Sequence, residues 1–566
     1  MPTSRSSIAP RRLLLAVLLG VAVGAAASAG AAASASAADE RTGRLLVMVD
    51  RDAPSRGSAL VQRADVRSSG GQIPQIGLVA VKPAAGQSLA AAAEVMREQP
   101  GVRSVSAERR YELRFTPNDP ALVAPETAPG TPAGTTAQWW AARENLFAAW
   151  DITRGAGAKV AIIDSGYDAG HSELSGKVAA TLDSEHPEFD TGPADVDRNG
   201  HGTHISSLAC GAGDNGAGIV GAGLDCKLIV AKSDLTDASV ARSIVRATDL
   251  GADAISMSFG SSGPAHATPP IVAAINYALA RNVVLVAAAA NEPIEEQGYP
   301  ANLLQPAGTG PDIDFNRGLS VSSADFSGER TRFAGRGTQI SLAAFGNFSS
   351  GGGGPRGILG AFPAGFTDLE RGVPSLDVSP CDCREQFNGD QRYARLAGTS
   401  IATPQVAAIA ALVADLNPDL PAREVVQLLK RTATRPPGTG WNAELGWGIV
   451  NAGNAVAAAR LIDRTRPTSK LTGPRGVRRS TRLTLKWTGR DRKHRGLVPS
   501  GVSRYELWRN VNGGRYKRIS RTRATSKQLK LAHGRRYRFY TVAIDKRGNR
   551  ERKPTRADVS FRVSRG

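Results

Sequence analysis

The chain has 566 residues and 41% hydrophobic side chains, more than a single hydrophobic core usually serves, so two or more globular parts are expected. Beyond the N-terminal region no apolar stretch reaches membrane length, so no transmembrane anchor is expected. The net charge of +20 is uneven: +6 over residues 1–115, −12 over 116–464 and +26 over 465–566, where 31 basic side chains stand beside 5 acidic ones.

Arg11 and Arg12 precede the apolar run 13–23, and an Ala/Ser stretch ends in Ala35-Ser36-Ala37. A basic flank, a short apolar core and small residues at a cleavage point predict a secretory signal peptide over residues 1–37, and an extracellular protein. Four cysteines, Cys210, Cys226, Cys381 and Cys383, then meet an oxidising compartment. They are expected in structural disulfides, with three pairings open. Residues 38–115 read as a small α+β unit, with strands at 44–49, 77–81 and 102–105 and an Ala-rich helix at 89–96 ended by Pro100-Gly101. A Pro-, Ala-, Thr- and Gly-rich connection, 116–136, follows it.

Within 116–464 the runs 160–163, 228–231, 254–257 and 283–286 are apolar on both faces and alternate with helical segments such as 238–250 and 270–280. This predicts an α/β fold, a parallel sheet flanked by helices, with strand ends and loops gathered at one edge. Residues 346–395, Gly-rich and carrying Cys381-x-Cys383, read as a long inserted loop that is functional or mobile. In 465–566 the β-type runs 483–487, 505–508 and 537–542, with turn signals at Asn512-Gly513-Gly514 and Arg547-Gly548-Asn549, predict an all-β sandwich.

Three short motifs in the alternating region carry chemistry. Ile162-Ile163-Asp164-Ser165-Gly166 puts a carboxylate at a strand end, and Asn199-Gly200-His201-Gly202-Thr203-His204 opens a helix. Gly398-Thr399-Ser400-Ile401-Ala402-Thr403-Pro404 presents a hydroxyl at a helix N-terminus. Singly, Asp164 reads as a strand-end residue, His201 as a core histidine and Ser400 as a helix cap. Together, in the order Asp, His, Ser on an α/β scaffold, they form a catalytic set, because a serine hydroxyl becomes a nucleophile only beside a base.

On these motifs residues 116–459 resemble the subtilase family of serine proteases. The resemblance implies that Ser400 is the nucleophile, His201 the general base, Asp164 the residue that fixes the imidazole tautomer, and Asn291, after the run 284–290, the oxyanion-hole donor. It also implies an extended-substrate edge at Ser258-Phe259-Gly260, a pocket wall at Ala288, Ala289 and Ala290, and a pocket floor at Gly298 open to large apolar side chains of protein or peptide substrates. Asp214 to Gly221 resembles the family's calcium loop, with Glu173, Asn215 and the carbonyls of Gly213, Ala217 and Ile219 as implied ligands. Asp195-x-Asp197-x-Asn199-Gly200 opens like an EF-hand loop, but Ser206 stands where its Glu belongs, so it reads as a surface acidic loop. The chain departs from the family pattern at Ala290, Ile401, Gln405 and Ile205-Ser206-Ser207, without loss of a reacting group. Residues 38–115 resemble an inhibitory propeptide, cut between about 106 and 116. The tail resembles a fibronectin type III-like module, and its charge suits an anionic wall polymer or another polyanion. The rival reading is a catalytically limited protein that works mainly through this tail.

Overall fold

The computed structural model describes residues 41–50, 67–84, 87–109, 115–183, 192–261, 266–372, 379–435, 439–492 and 497–565. The expected signal peptide, 1–37, lies outside them, as do residues 110–114 of the expected processing region. The chain forms two compact units, Met1–Arg114 and Phe115–Gly566.

In the first unit β1 (Arg41–Val49), β2 (Arg67–Ile73), β3 (Leu78–Lys82) and β4 (Val102–Arg109) form a sheet in the order β2-β3-β1-β4. Alternate β1 residues Leu45, Val47 and Val49 pack with Ala92, Ala93 and Met96 of the helix Leu89–Arg97. Ser88 caps that helix by accepting from Ala91 N.

The second unit is built on β5 (Lys159–Asp164), β6 (Val178–Leu182), β7 (Lys227–Lys232), β8 (Ala254–Met257), β9 (Val284–Ala288), β10 (Leu319–Ala324) and β11 (Leu342–Phe345). All seven run parallel, in the order β11-β10-β9-β8-β5-β7-β6. The order reverses at β5, so the loops after β5 and its neighbours converge at one edge. One face packs Ala161, Ile163, Ile255 and Leu285 against the helices Asp237–Asp249 and Pro269–Ala280. The other packs Val160, Ile162, Val230 and Val286 against the helix Thr399–Leu416. That last helix is long and apolar enough to cross a membrane, but 89% of it is buried inside the protein.

The stretch expected to be a loop, 346–395, carries a small sheet of its own. β12 (Ile358–Ala361), β13 (Arg384–Phe387) and β14 (Asp390–Leu396) form an antiparallel sheet in the order β12-β14-β13. Asn388 and Gly389, both at positive φ, make the tight β13–β14 turn, and Ile358, Leu359, Phe387 and Tyr393 join the main core. Disulfides link Cys210 to Cys226 and Cys381 to Cys383.

The tail holds β15 (Thr468–Thr472), β16 (Gly476–Arg478), β17 (Arg482–Arg490), β18 (Val502–Val511), β19 (Lys517–Thr522), β20 (Ser526–Lys530), β21 (Arg535–Asp545) and β22 (Val559–Val563). Sheets β15-β17-β20 and β16-β22-β21-β18-β19 enclose a core of Leu471, Leu485, Trp487, Leu507, Phe539 and Phe561. All pairs are antiparallel except β16 with β22.

Candidate active site

Asp164 is the last residue of β5, and Ser165 N donates to its Oδ1 at 2.8 Å. His201 begins the helix His201–Cys210, entered through Gly200 at φ 97°. A Cβ on Gly202 would stand 2.2 Å from Gly166 O, so only glycine lets this helix end press against the turn after β5. The imidazole thereby comes between two partners. Nδ1 lies 2.8 and 3.0 Å from the Asp164 oxygens, and Nε2 lies 3.1 Å from Ser400 Oγ. With Nδ1–H donated to the carboxylate, Nε2 is free to accept the serine proton.

Ser400 is the second residue of its helix, and Pro404 explains how it is held. Proline has no N–H, so the Ser400 carbonyl loses its usual partner four residues on; Ser258 Oγ donates to it instead, at 3.0 Å. Asn291 Oδ1 accepts from Thr399 N at 2.9 Å and Thr399 Oγ1 at 3.0 Å, and Thr399 Oγ1 also lies 2.6 Å from Ala289 O. That arrangement leaves Asn291 Nδ2 as a fixed donor beside Ser400, each amide atom about 3.5 Å from where a Gly398 Cβ would stand. A cavity of about 180 Å³ opens here, and its lining includes Ser258, Phe259, Gly260, Ala288, Ala289, Ala290, Asn291, Gly298 and Ser400. Glu292 and Ser261 also line it. Gly298 is required by its neighbour, since a Cβ there would meet Ser261 O at 2.1 Å.

Asp197 overturns the surface-loop expectation. It is buried, its Oδ1 accepting from Ser165 Oγ at 2.9 Å, Asn199 N at 3.1 Å and Gly200 N at 2.9 Å, and its Oδ2 from Thr203 N at 2.8 Å and Thr203 Oγ1 at 2.6 Å. The acid that reads as half of a failed EF-hand caps the histidine helix; the signal for it was its place four residues before His201. Burial alone would lower the His201 pKa, but the charge and hydrogen bond of Asp164, then the charge of Asp197, leave it raised. His204 is pushed down to about 3 by burial and then by the His201 charge, so it stays neutral, with Nε2 donating to Ile358 O at 3.1 Å. Gln405 is buried, and its Nε2 donates to Phe345 O at 2.8 Å and Ile401 O at 3.0 Å. Ser207 Oγ donates to His204 O at 2.7 Å and accepts from Ala361 N at 3.0 Å, so the unusual Ile205-Ser206-Ser207 ties its helix to β12.

Away from this cleft, Glu173 is fully buried against the 213–221 loop. Its Oε1 accepts from Ile219 N at 3.0 Å and Tyr393 OH at 2.8 Å, while Oε2 has no partner. Burial pushes its carboxyl up to about 8, against the pull of those two hydrogen bonds. Asp119, which sequence reading missed, is fully buried too: Oδ2 accepts from Asp214 N at 2.8 Å and Oδ1 is unpartnered. Asn215 is exposed, its Oδ1 accepting from Ala217 N at 2.9 Å. The carbonyls of Gly213, Ala217 and Ile219 accept no hydrogen bond among the described residues, whereas Gly218 O and Val220 O do. Two orphaned carboxylate oxygens beside three free carbonyls are a donor set that fits a hard cation.

Comparison with known proteins gives the family. Residues 155–448, more than half of the chain, match the subtilase family. Thermitase of Thermoactinomyces vulgaris is 28% identical over 349 residues, 60% of this chain and 99% of thermitase. A calcium-dependent protease of Trichormus variabilis is 31% identical over 351 residues, 56% of this chain but only 49% of that protein. An extracellular protease of Xanthomonas campestris is 28% identical over 400 residues, 64% of this chain and 60% of that protein. Among solved structures, a protease from Pseudoalteromonas arctica is 26% identical with a TM-score of 0.46, covering 59% of this chain and all of that one. A family match of this extent makes the chain a member of the subtilase family, and its activity that of a subtilisin-like serine endopeptidase.

Proposed function

We propose that the protein is an exported endopeptidase in which Ser400 attacks the peptide carbonyl, His201 takes the hydroxyl proton and returns it to the leaving amine, and Asp164 stabilises the imidazolium. Asn291 Nδ2 stabilises the tetrahedral oxyanion. The observation that carries this reading is the unbroken run of hydrogen bonds from Asp164 through His201 to Ser400, with the Asn291 amide beside it. The edge at Ser258, Phe259 and Gly260 pairs with an extended substrate, and the pocket past Ala288 to Ala290 takes one large apolar side chain on the acyl side. Export rests on the N-terminal signal and on the likeness to an extracellular protease. Residues 38–115 serve as an inhibitory propeptide that the same serine cuts away.

Calcium is the proposed structural cation, in keeping with the calcium-dependent relatives. Glu173 and Asp119, with Asn215 and the carbonyls of Gly213, Ala217 and Ile219, would hold it; when bound it supplies positive charge that offsets the buried carboxylates.

Incubation with a fluorophosphonate probe tests the mechanism. Ser400 is the expected labelled residue. Ser400→Ala is expected to remain an unprocessed precursor and to lose about 10⁶ in kcat, a scale known from subtilisin. Asn291→Ala is expected to lose about 10² to 10³, again the subtilisin scale. Labelling elsewhere, or maturation of the Ser400→Ala protein without added protease, rules the assignment out.

A further inference from the structure

The outer face of the sheet β15-β17-β20 carries cations and hydroxyls with no acid among them. Along β17 the exposed residues alternate Arg482, Thr484, Lys486, Thr488, Arg490, while Leu483, Leu485 and Trp487 point into the core. The register places Lys470 opposite Thr488 and Lys530 directly opposite Arg482, and both lysines are exposed. None of these five cations makes a side-chain hydrogen bond or ion pair among the described residues, although Lys470 lies near enough to Asp558 to act on its charge. On the other sheet Glu506 lies between Arg518, at 2.8 Å, and Arg550, so positive charge there is partly answered within the protein. Like charges directly opposite one another on a strand pair destabilise it, so Arg482 beside Lys530 is a stability cost that an external anion would relieve.

We propose that this face binds a linear poly(phosphodiester) that carries no bases, laid along β17. Same-face residues recur about every 7 Å along a strand, and neighbouring strands lie about 5 Å apart. Cations or hydroxyls therefore meet every charge of an extended polymer with one phosphate in each such step: Arg482 and Lys530 at one end, Lys486 in the middle, Lys470 and Arg490 toward the other. The face holds no aromatic side chain on which a base could stack, which sets single-stranded nucleic acid apart from the partner proposed. The face is the side of a three-stranded sheet and presents no helix to a duplex groove. The proposal is independent of the catalytic assignment.

The test uses the full chain and purified poly(glycerol phosphate), with single-stranded DNA of equal phosphate number and anionic phospholipid vesicles as comparison ligands. Neutralising the face, with Lys470, Arg482, Lys486, Arg490 and Lys530 all changed to Gln, is expected to weaken polymer binding at least tenfold. It is also expected to flatten the slope of log K against log salt by about 3.5, five contacts at about the 0.7 each found for single strands. A charge-matched variant, with Arg515, Lys517, Arg536, Arg547 and Arg556 changed to Gln, is expected to lose less than threefold. The face variant, relieved of the Arg482–Lys530 repulsion, should unfold no lower than wild type and the charge-matched variant at the wild-type midpoint, and Lys486→Glu alone should weaken binding if the five-fold variant folds poorly. Equal losses in the two charge-matched variants, no polymer binding at low salt, or tighter binding of the DNA or vesicles overturns the proposal.

Discussion

Asp197 holds the start of the His201 helix through hydrogen bonds alone. All five of its hydrogen-bond partners are donors, two of them the N-terminal amides that orient the His201 helix and one the Ser165 hydroxyl that borders Asp164. An amide at this position would turn an NH₂ group toward N–H or O–H donors, leaving buried groups unpaired at about 1 to 3 kcal/mol each. Its charge also acts on His201, which in the proposed mechanism must be neutral to serve as base. An imidazole with a raised pKa stays protonated to higher pH, so kcat/KM rises with pH only through that raised value. Asp197→Asn should therefore lower the thermal midpoint and move the acid limb of the kcat/KM profile to lower pH. A midpoint that falls while the limb stays in place would leave Asp197 a helix cap with no electrostatic part in catalysis.

At the scale of elements, the inserted β12–β14 sheet braces two regions. Tyr393 of β14 donates to Glu173 under the 213–221 loop, and Ile358 of β12 accepts from His204, three residues past His201. A Cβ on Gly360 would meet the His204 ring at 2.5 Å, so the close approach of this sheet depends on glycine. If calcium binds at Glu173 and Asp119, excess chelator should lower the thermal midpoint by mass action. Glu173→Gln keeps an acceptor for Ile219 N but removes a charged ligand, and it should unfold at the same temperature with or without chelator. A wild-type midpoint that ignores chelator excludes a stabilising calcium site.

These elements were unequally legible in the sequence. The β5, β7, β8 and β9 runs announce themselves because both faces of a central parallel strand are apolar, and the Asp164, His201 and Ser400 motifs stand out through their glycines and fixed order. β6 and β11 do not. β6 is an edge strand with partly exposed residues, and β11 is Leu-Ala-Ala-Phe, whose alanines and lack of β-branched residues give no strand signal. The β12–β14 sheet hid behind Gly351 to Gly354, although Asn388-Gly389 between two short β runs is a hairpin signal. Asp197 was misread because residue type and spacing say nothing about burial, which depends on the turn after β5 lying across it. Asp119 was missed because Asp214, whose N–H it accepts from, is distant in sequence.

At the scale of the molecule, the tail is seated on the protease part of the second unit through residues around Asp463. Val498 N donates to Arg460 O at 2.9 Å, Ser500 N to Asp463 Oδ2 at 2.8 Å, and Asn549 Nδ2 to Asp463 O at 2.8 Å, while Leu497 joins the main core. Asp463, Asp491 and Asp545 each bring an oxygen to this junction, all within 4.8 Å of one another. Asp463 and Asp545 have both oxygens hydrogen-bonded, but Asp491 uses only Oδ2, on Gly501 N at 2.7 Å, and its Oδ1 is buried without a partner. Burial, and then the charges of Asp463 and Asp545, outweigh the Gly501 hydrogen bond and raise the Asp491 pKa. A carboxyl with a raised pKa holds its proton more tightly in the folded than in the unfolded chain, so its contribution to stability weakens as pH climbs through that value. Asp491→Asn removes one of the three charges, keeps an oxygen for Gly501 N, and gives the neighbouring carboxylates an N–H donor. In excess chelator, so that no cation screens the three acids, the variant should unfold at a higher temperature than wild type at pH 8. The difference should shrink as pH falls toward the ordinary carboxylate range, where Asp491 is protonated in the wild type. A variant that is no more stable at pH 8, or whose advantage is independent of pH, would show that repulsion among these acids does not weaken the seat of the tail.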